Sequence, residues 1–507
     1  MRRKTALKLI TFLDQNQAPG APLTVRLQNA IRRLIAEGHV REGDRLPSSR
    51  LLASEAKLAR DTVESAYQQL EAEGYIERRL GSGSFVAAIE PGLLASPRKP
   101  YISPKPEAVL SRRGKEIAQS GGAPDHRDAH PFVILPDIQQ FPLETWRKLT
   151  ARVLADHRQA SAREALLYAE PMGRADLRQE IAAYLAAHRG VQCTADRIVV
   201  LNSSQQALGL IATLLLDAGD SLAMEEPGFH GARLAFRNAG LNLAPVPVDA
   251  EGLIGDALPS AALEARAVYV TPSHQYPTGA TLSLERRLGL IRWAEATNGW
   301  IIEDDYDSEY RYDSRPIAAI QGLDHAGRVL YLGTFSKVLF PGIRLAYIVL
   351  PESLVPAFVA GRTLIDGHTA PIAQAVLAAF MREGHFTAYI RRMRELYRAR
   401  RDNFLEAFDR HLSPFADPVH PAGGLHMAAY LREGLDEAET VRIAAAAGIE
   451  LPTLSRLYLG KQKRAGWLLG FAALDPHRAE SAMRQLSHAL SRQAGAEHGR
   501  RRQQRNA

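Results

Sequence analysis

With 507 residues, 46% apolar and 23% charged, the chain is too long for one ordinary domain and is composed like a soluble globular protein, not a disordered or disulfide-stapled one. It has no uncharged apolar run of about 18 residues to span a membrane, Lys8 and Asp14 break any signal-peptide core, and its one cysteine, Cys193, fits a reducing cytosol. The net charge of +7 is localised: residues 1–120 hold 20 Lys and Arg against 13 Asp and Glu, which is the whole excess.

A basic module beside a neutral bulk points to nucleic acid or to a solvated tail, and charge alone leaves both open. Residues 1–22 are set apart as an N-terminal extension. Leu23, Leu27, Ile31, Leu34 and Ile35 then share one helical face. A break ends in Pro47-Ser48-Ser49, where either serine can cap a short helix, SRLLASEA. After Arg60 a third helix, DTVESAYQQLEAEG, turns Val63, Ala66, Tyr67 and Leu70 inward and stops at Gly74. YIERRLGSGSFVA alternates around a Gly-Ser-Gly turn, as a hairpin does. Residues 23–88 therefore read as a winged helix-turn-helix, mostly α with one β-hairpin. In that arrangement Arg60, Asp61 and Thr62 start the helix that enters a major groove. Arg45, Ser49 and Arg50 flank the second helix and suit phosphates, and the small wing tip at 81–84 can approach a minor groove. The rival is a protein-binding winged helix with solvated arginines.

The segment GDRLPSSRLLASEAKLARDTVESAYQQLEAEGYIERRLGSGSFVA resembles the DNA-binding domain of the GntR regulator family along its whole length. The resemblance implies double-stranded DNA as partner, with contacts from Arg50, Arg60 and the wing tip Ser82-Gly83. Glu64 departs from it, because several GntR subgroups place a DNA-contacting arginine there and a carboxylate repels phosphate.

Residues 89–125 read as a linker, with Pro91, Pro97, Pro100, Pro104 and Pro106 and then Gly121-Gly122-Ala123-Pro124 interrupting any period. More than half of the excess charge lies here, since residues 91–120 carry 6 basic and 2 acidic groups. Residues 126–492 alternate β-like apolar runs with amphipathic helices. The end, 493–507, is a polar basic tail expected to be disordered.

Within the large part, polar chemistry repeatedly follows an apolar strand. The strand Ile198–Leu201 ends in Asn202-Ser203-Ser204-Gln205 before a long helix, a start that suits phosphate, although a simple serine N-cap is the plainer reading. SLAMEEPGFHGAR presents Phe229 in a turn, by default a core aromatic. AVYVTPSHQYPTG runs from a strand at 268–270 into a Pro- and Gly-punctuated loop. GWIIEDDYDSEY runs from a strand at 300–302 into an acidic cluster, in which Asp304 and Tyr306 face one side of a continuing strand. A metal site is the rival for that cluster, but no His or Cys set at ligand spacing accompanies it, so no metal is expected. In RVLYLGTFSKVLFPGIRLAY a strand at 329–332 feeds a Gly-Thr-Phe-Ser loop, then Lys337, with Arg344 seven residues on. A lysine enclosed among hydroxyls has a lowered pKa, as Schiff-base chemistry requires. The alternative is a lysine snorkelling from a helix start.

Together these segments, with YAEPMGRADLRQEIAAYLAAHRG, resemble the α/β fold-type I, aminotransferase-like pyridoxal 5′-phosphate proteins over residues 131–490. The resemblance implies pyridoxal phosphate as cofactor, with Lys337 forming the internal aldimine. Asp304 would hold the pyridine nitrogen, Tyr306 the phenolic oxygen, and Phe229 would stack on the ring. Ser204, Gln205, Ser336 and Arg344 would bind the phosphate. Tyr168 would reach it from the other subunit of a homodimer. Two departures stand out. Tyr276 precedes Pro277 where aminotransferases carry Asn, leaving His274 as a substitute contact. Leu468 stands where many carry a carboxylate-clamping arginine, leaving Arg456 as the substitute for an effector, or as a structural residue.

A GntR-type winged helix, a long linker and an aminotransferase-like domain resemble the MocR-type regulators, in which TPSHQYPTG and IEDDYDSEY are usual forms. That implies a cytoplasmic, homodimeric, DNA-binding transcriptional regulator without physiological turnover. Its large domain would sense pyridoxal phosphate, an amino compound through an external aldimine, or both. A catalytically active aminotransferase with an accessory DNA-binding domain is the alternative.

Overall fold

The computed structural model describes residues 2–15, 21–79, 81–88, 109–120, 131–155, 166–255, 264–313, 317–460 and 464–505, in two compact units, Met1–Leu110 and Ser111–Ala507. The first unit holds α1 (Arg2–Gln15), α2 (Leu23–Ala36), α3 (Ser49–Ala56), α4 (Arg60–Ala72) and the antiparallel hairpin β1 (Ile76–Arg79) and β2 (Gly83–Val86). The order is that of a winged helix-turn-helix. Two details differ from the sequence reading. Leu23 is exposed in the first turn of α2, whose inward face is Leu27, Ile31, Leu34 and Ile35. Most of the segment set apart as an extension is α1, because Ala6, Leu9 and Leu13 recur at helical spacing and enter the same core as Leu27, Leu52 and Leu70.

In the second unit, β3 (Ile198–Leu201), β4 (Ser221–Glu226), β5 (Asn242–Asp249), β6 (Gly252–Leu253), β7 (Ala267–Val270), β8 (Trp300–Asp305), β9 (Val329–Thr334) and β10 (Ala346–Val349) form one sheet. Its order is β3-β10-β9-β8-β7-β4-β5-β6. Strands β9, β8, β7, β4 and β5 run parallel, while β10 is antiparallel to both neighbours. Strands β3, β7, β9 and β10 are buried along their whole length, which explains their unbroken apolar sequences. A smaller antiparallel sheet joins β11 (Ala416–Pro418), β12 (His426–Leu431) and β13 (Gly466–Gly470).

Both segments expected to be irregular contain helix. The five linker prolines fall within 89–108, outside the described residues, and the proline-free stretch after them forms α5 (Arg112–Ser120). The terminal helix Pro476–Arg505 runs through most of the presumed tail, which has no internal proline and is rich in Arg, Gln and Ala. No helix among the described residues is long and apolar enough to cross a membrane.

Candidate functional site

In the first unit, Ser48 caps α3 by accepting from the Leu51 amide at 3.2 Å, so Ser49 is the first helical residue. Tyr67 on α4 donates to the Pro47 carbonyl at 2.8 Å and fixes the two helices at their turn. Ala59 gives α4 no side-chain cap, so the Arg60 and Asp61 amides at its start have no intrahelical acceptor. Arg45, Arg50, Arg60, Asp61, Ser82 and Gly83 are exposed, and Ser49 and Thr62 half-buried. Gly83 has φ +107°, and a Cβ there would meet Arg45 Nε at 3.0 Å, so the wing tip excludes a side chain beside that guanidinium. Glu64 is held by Arg78 of β1, whose hydrogen bond keeps the carboxyl below its ordinary pKa, with a lesser contribution from Ser49. The carboxylate that sequence set against phosphate is therefore already paired.

In the second unit, the carboxyl ends of β3, β4, β7, β8 and β9 converge, the usual place for a ligand crevice in such sheets. A cavity of about 240 Å³ opens there. Of the residues assigned to the cofactor, Lys337, Asp304, Tyr306, Phe229, Ser204, Gln205, Ser336 and Arg344 line it. Ser203 caps the helix Ser204–Leu215 by accepting from the Gln206 amide at 3.1 Å, which leaves the Ser204 and Gln205 amides for an anion. The plainer N-cap reading falls on Ser203, and the phosphate expectation concerns the two residues after it. Phe229 ends the turn after β4, and a Cβ at Gly231 would come within 2.5 Å of its ring.

Electrostatics sets this cavity apart. Asp304 is 4% exposed, and burial pushes its carboxyl up to about 7, against a hydrogen bond from the Tyr269 hydroxyl to Oδ2 at 2.7 Å. Its Oδ1 is buried without a partner. Lys337 follows β9 in a turn and donates to the Ile134 carbonyl at 2.8 Å. Burial pulls its ammonium below the ordinary lysine value, opposed by Asp307.

Three assigned residues lie elsewhere. His274 is not on the cavity wall, so the direct ring contact proposed for it gives way to one behind Tyr306, whose hydroxyl lies 3.0 Å from His274 Nδ1. Tyr168 is 96% exposed. Arg456 is also exposed, with its carbonyl accepting from Arg233 at 2.7 Å, and its charge acts on the hydroxyl of Tyr276.

Residues 135–439 match the aminotransferase class I and II family, and residues 23–86 match the gntR family of bacterial regulatory proteins. The probable rhizopine catabolism regulatory protein MocR of Rhizobium meliloti is 36% identical over 92% of this chain and 94% of that one. The chain belongs to the MocR-type regulators of the GntR family. Another relative, the HTH-type pyridoxine biosynthesis transcriptional regulator PdxR of Corynebacterium glutamicum, is 31% identical over 93% of this chain and 97% of its own. Among solved structures, a multiple substrate aminotransferase from Thermococcus profundus superposes with a TM-score of 0.69 at 26% identity, over 76% of this chain and 98% of that one. As a MocR-type protein, the chain is a DNA-binding transcriptional regulator carrying an aminotransferase-like domain.

The cavity wall of this MocR-type chain also includes Ile134, Ser203, Tyr269, Thr271, Tyr276 and Thr334, which sequence reasoning did not assign to it. Tyr269 looked like one more apolar strand residue, and only its register beside β8 brings its hydroxyl to Asp304. Tyr276, read as a missing asparagine, contributes an edge-on ring to Phe229 at 5.7 Å between centroids. The fold also brings together His274, Asp307 and His426, with donor atoms within 4.8 Å of one another, from segments too far apart in sequence to show ligand spacing.

Proposed function

We propose that this regulator binds pyridoxal phosphate at Lys337 and that occupancy by the cofactor, or by a small amino compound joined to it, alters promoter binding in the cytoplasm. The residues present fit the group. A protonated pyridine nitrogen supplies the donor that the orphaned Asp304 Oδ1 lacks, and this is the observation that carries the reading. Ser204, Gln205, Ser336 and Arg344 would hold the phosphate, and Phe229 the ring face. When bound, the cofactor supplies an aldehyde that condenses with amines. The chain's own part is to keep the Lys337 amine buried and biased toward its neutral, nucleophilic form. Arg456, near Tyr276, is the candidate for an effector's carboxylate.

A homodimer accompanies this reading. Leu166, Leu167 and Tyr168 are 72%, 65% and 96% exposed, an apolar run suited to cover by a second copy, which would bring Tyr168 to the partner's phosphate. Arg45, Ser49, Arg50, Arg60, Asp61, Thr62, Ser82 and Gly83 form the proposed DNA face.

Purified protein given pyridoxal phosphate should turn yellow, and Lys337→Ala should lose the visible band. A colourless wild type would sink the cofactor assignment. Sustained conversion of an amino acid with a keto acid at ordinary enzyme rates would instead favour a working aminotransferase.

A further inference from the structure

Behind Tyr306 lies a buried polar pair that the cofactor assignment leaves unused. His274 Nδ1 lies 3.1 Å from Asp307 Oδ2, 3.2 Å from Oδ1 and 3.0 Å from the Tyr306 hydroxyl. Asp307 is 1% exposed and His274 6%. We propose that Asp307 and His274 are positioning residues that hold the Tyr306 hydroxyl as a hydrogen-bond donor toward the cavity. The inference rests on the cofactor reading, because Tyr306 is the residue assigned to the ring oxygen.

The hydrogens available to the two side chains decide the direction. His274 Nε2 is buried with no partner. A proton on Nε2 would be an orphaned donor, whereas a proton on Nδ1 meets a carboxylate, so the proton belongs on Nδ1. An Nδ1–H shared between Asp307 and the Tyr306 oxygen leaves that oxygen accepting. The tyrosine's own hydrogen then has to point away from His274, and Tyr306 lines the cavity. The dyad therefore sets which way one hydroxyl donates.

The other charged or titratable groups around His274 leave this arrangement in place. His426 on β12 lies 5.3 Å away between ring centroids, and burial, followed by His274 and Lys337, holds it well below its ordinary pKa, hence neutral. Burial raises the Asp307 carboxyl above its ordinary pKa, helped by Asp305, while His274 and, more weakly, Lys337 after β9 act to keep it ionised. Arg189 and Arg311 are directed to the Ser273 hydroxyl and carbonyl. The three donors of His274, Asp307 and His426 also have the composition of a cation site. The direct Asp307–His274 hydrogen bond favours the dyad, and a chelator arm separates the two.

The test is a pH titration of the visible band in the cofactor-loaded protein. A donor to the ring oxygen stabilises its anionic form, so losing that donor raises the pH midpoint. Tyr306→Phe should raise it by roughly 1 pH unit, the worth of one hydrogen bond. In Asp307→Asn the side-chain carbonyl accepts from Nδ1–H more weakly than the carboxylate does, so the tautomer is held less firmly and the midpoint should rise, by less than in Tyr306→Phe. The double variant Tyr306→Phe/Asp307→Asn should rise no further than Tyr306→Phe alone. His274→Phe, a second route should Asp307→Asn fail to fold, should move the midpoint in the same direction by less. A normal band with unmoved midpoints in Asp307→Asn and His274→Phe overturns the dyad, as do fully additive shifts or a wild-type midpoint that changes with a chelator. A wild type with no band overturns the cofactor reading itself.

Discussion

The two units carry their charges in opposite ways. On the winged helix, Arg45, Arg50 and Arg60 stand in solvent, and Glu64 is neutralised by a neighbouring arginine. In the aminotransferase-like unit the decisive groups sit inside the fold: burial pushes Asp304 up to about 7 and lowers Lys337. The contrast follows from the partner. DNA is a polyanion met at the surface, where charge acts through counterion release and needs no desolvation beforehand. A small ligand has to be recognised by a few groups in a dry cavity, where each unpaired atom is costly until the ligand arrives.

The contrast is broken most directly at Asp304. Asp304→Asn keeps an oxygen to accept from Tyr269 but removes the charge. Loss of a buried charged hydrogen bond should weaken cofactor binding by roughly 100-fold, read from the visible band against cofactor concentration. The same substitution should stabilise the cofactor-free protein at pH 8. The sign follows from the raised value: with an ordinary pKa of 3.8 and a folded one of about 7, the native state holds the extra proton between those limits. Stability therefore falls as pH rises through that window, and the cost is complete above about 7. Unfolding free energies from denaturant titrations should separate variant from wild type at pH 8, by about 4 kcal/mol, and converge below pH 4. A variant less stable than wild type at pH 8 would show that the carboxylate is compensated without cofactor.

Sequence patterning exposed different things in the two units. The winged helix was legible almost throughout, because its helices are short, locally periodic and bounded by Pro47, Gly74 and the Gly-Ser-Gly turn. What escaped was α1, whose Ala6, Leu9 and Leu13 look unremarkable until a core exists for them to enter. In the large unit, the residues that follow strands could be placed, since chemistry at strand ends is a local signal. Tyr269 and the Asp307–His274 pair were hidden because their meaning is set by sheet register and by segments distant in the chain. α5 was hidden by the prolines before it, and the end of the terminal helix by its polarity.

On the solvated side of the comparison the largest expected effect is at Arg60. Arg60→Ala should weaken promoter binding by about 10-fold while leaving the cofactor band intact, because the side chain is exposed and supports no core. If Arg60 reads a base edge, discrimination between operator and mutated operator should fall. If it meets phosphate, both affinities should drop together and the salt slope should decrease by about 1. An unchanged footprint removes Arg60 from the interface.

The smallest effect, and the one that tests whether surface charge on the winged helix is tuned, is at Glu64. It sits on α4 within the field of Arg60 and is hydrogen-bonded to Arg78 of β1. Glu64→Ala removes an exposed ion pair, so folding stability should fall by less than about 1 kcal/mol. It also releases the Arg78 charge and removes an anion near Arg60, so DNA affinity should rise by about 2- to 5-fold at low salt and the gain should fade as salt is raised. Titrating wild type and variant against one operator at two salt concentrations measures both. A weaker variant at both salts would mean that Glu64 earns its place by orienting Arg78 or Ser49 for contact, and that the winged helix, like the buried cavity, depends on a preorganised pair.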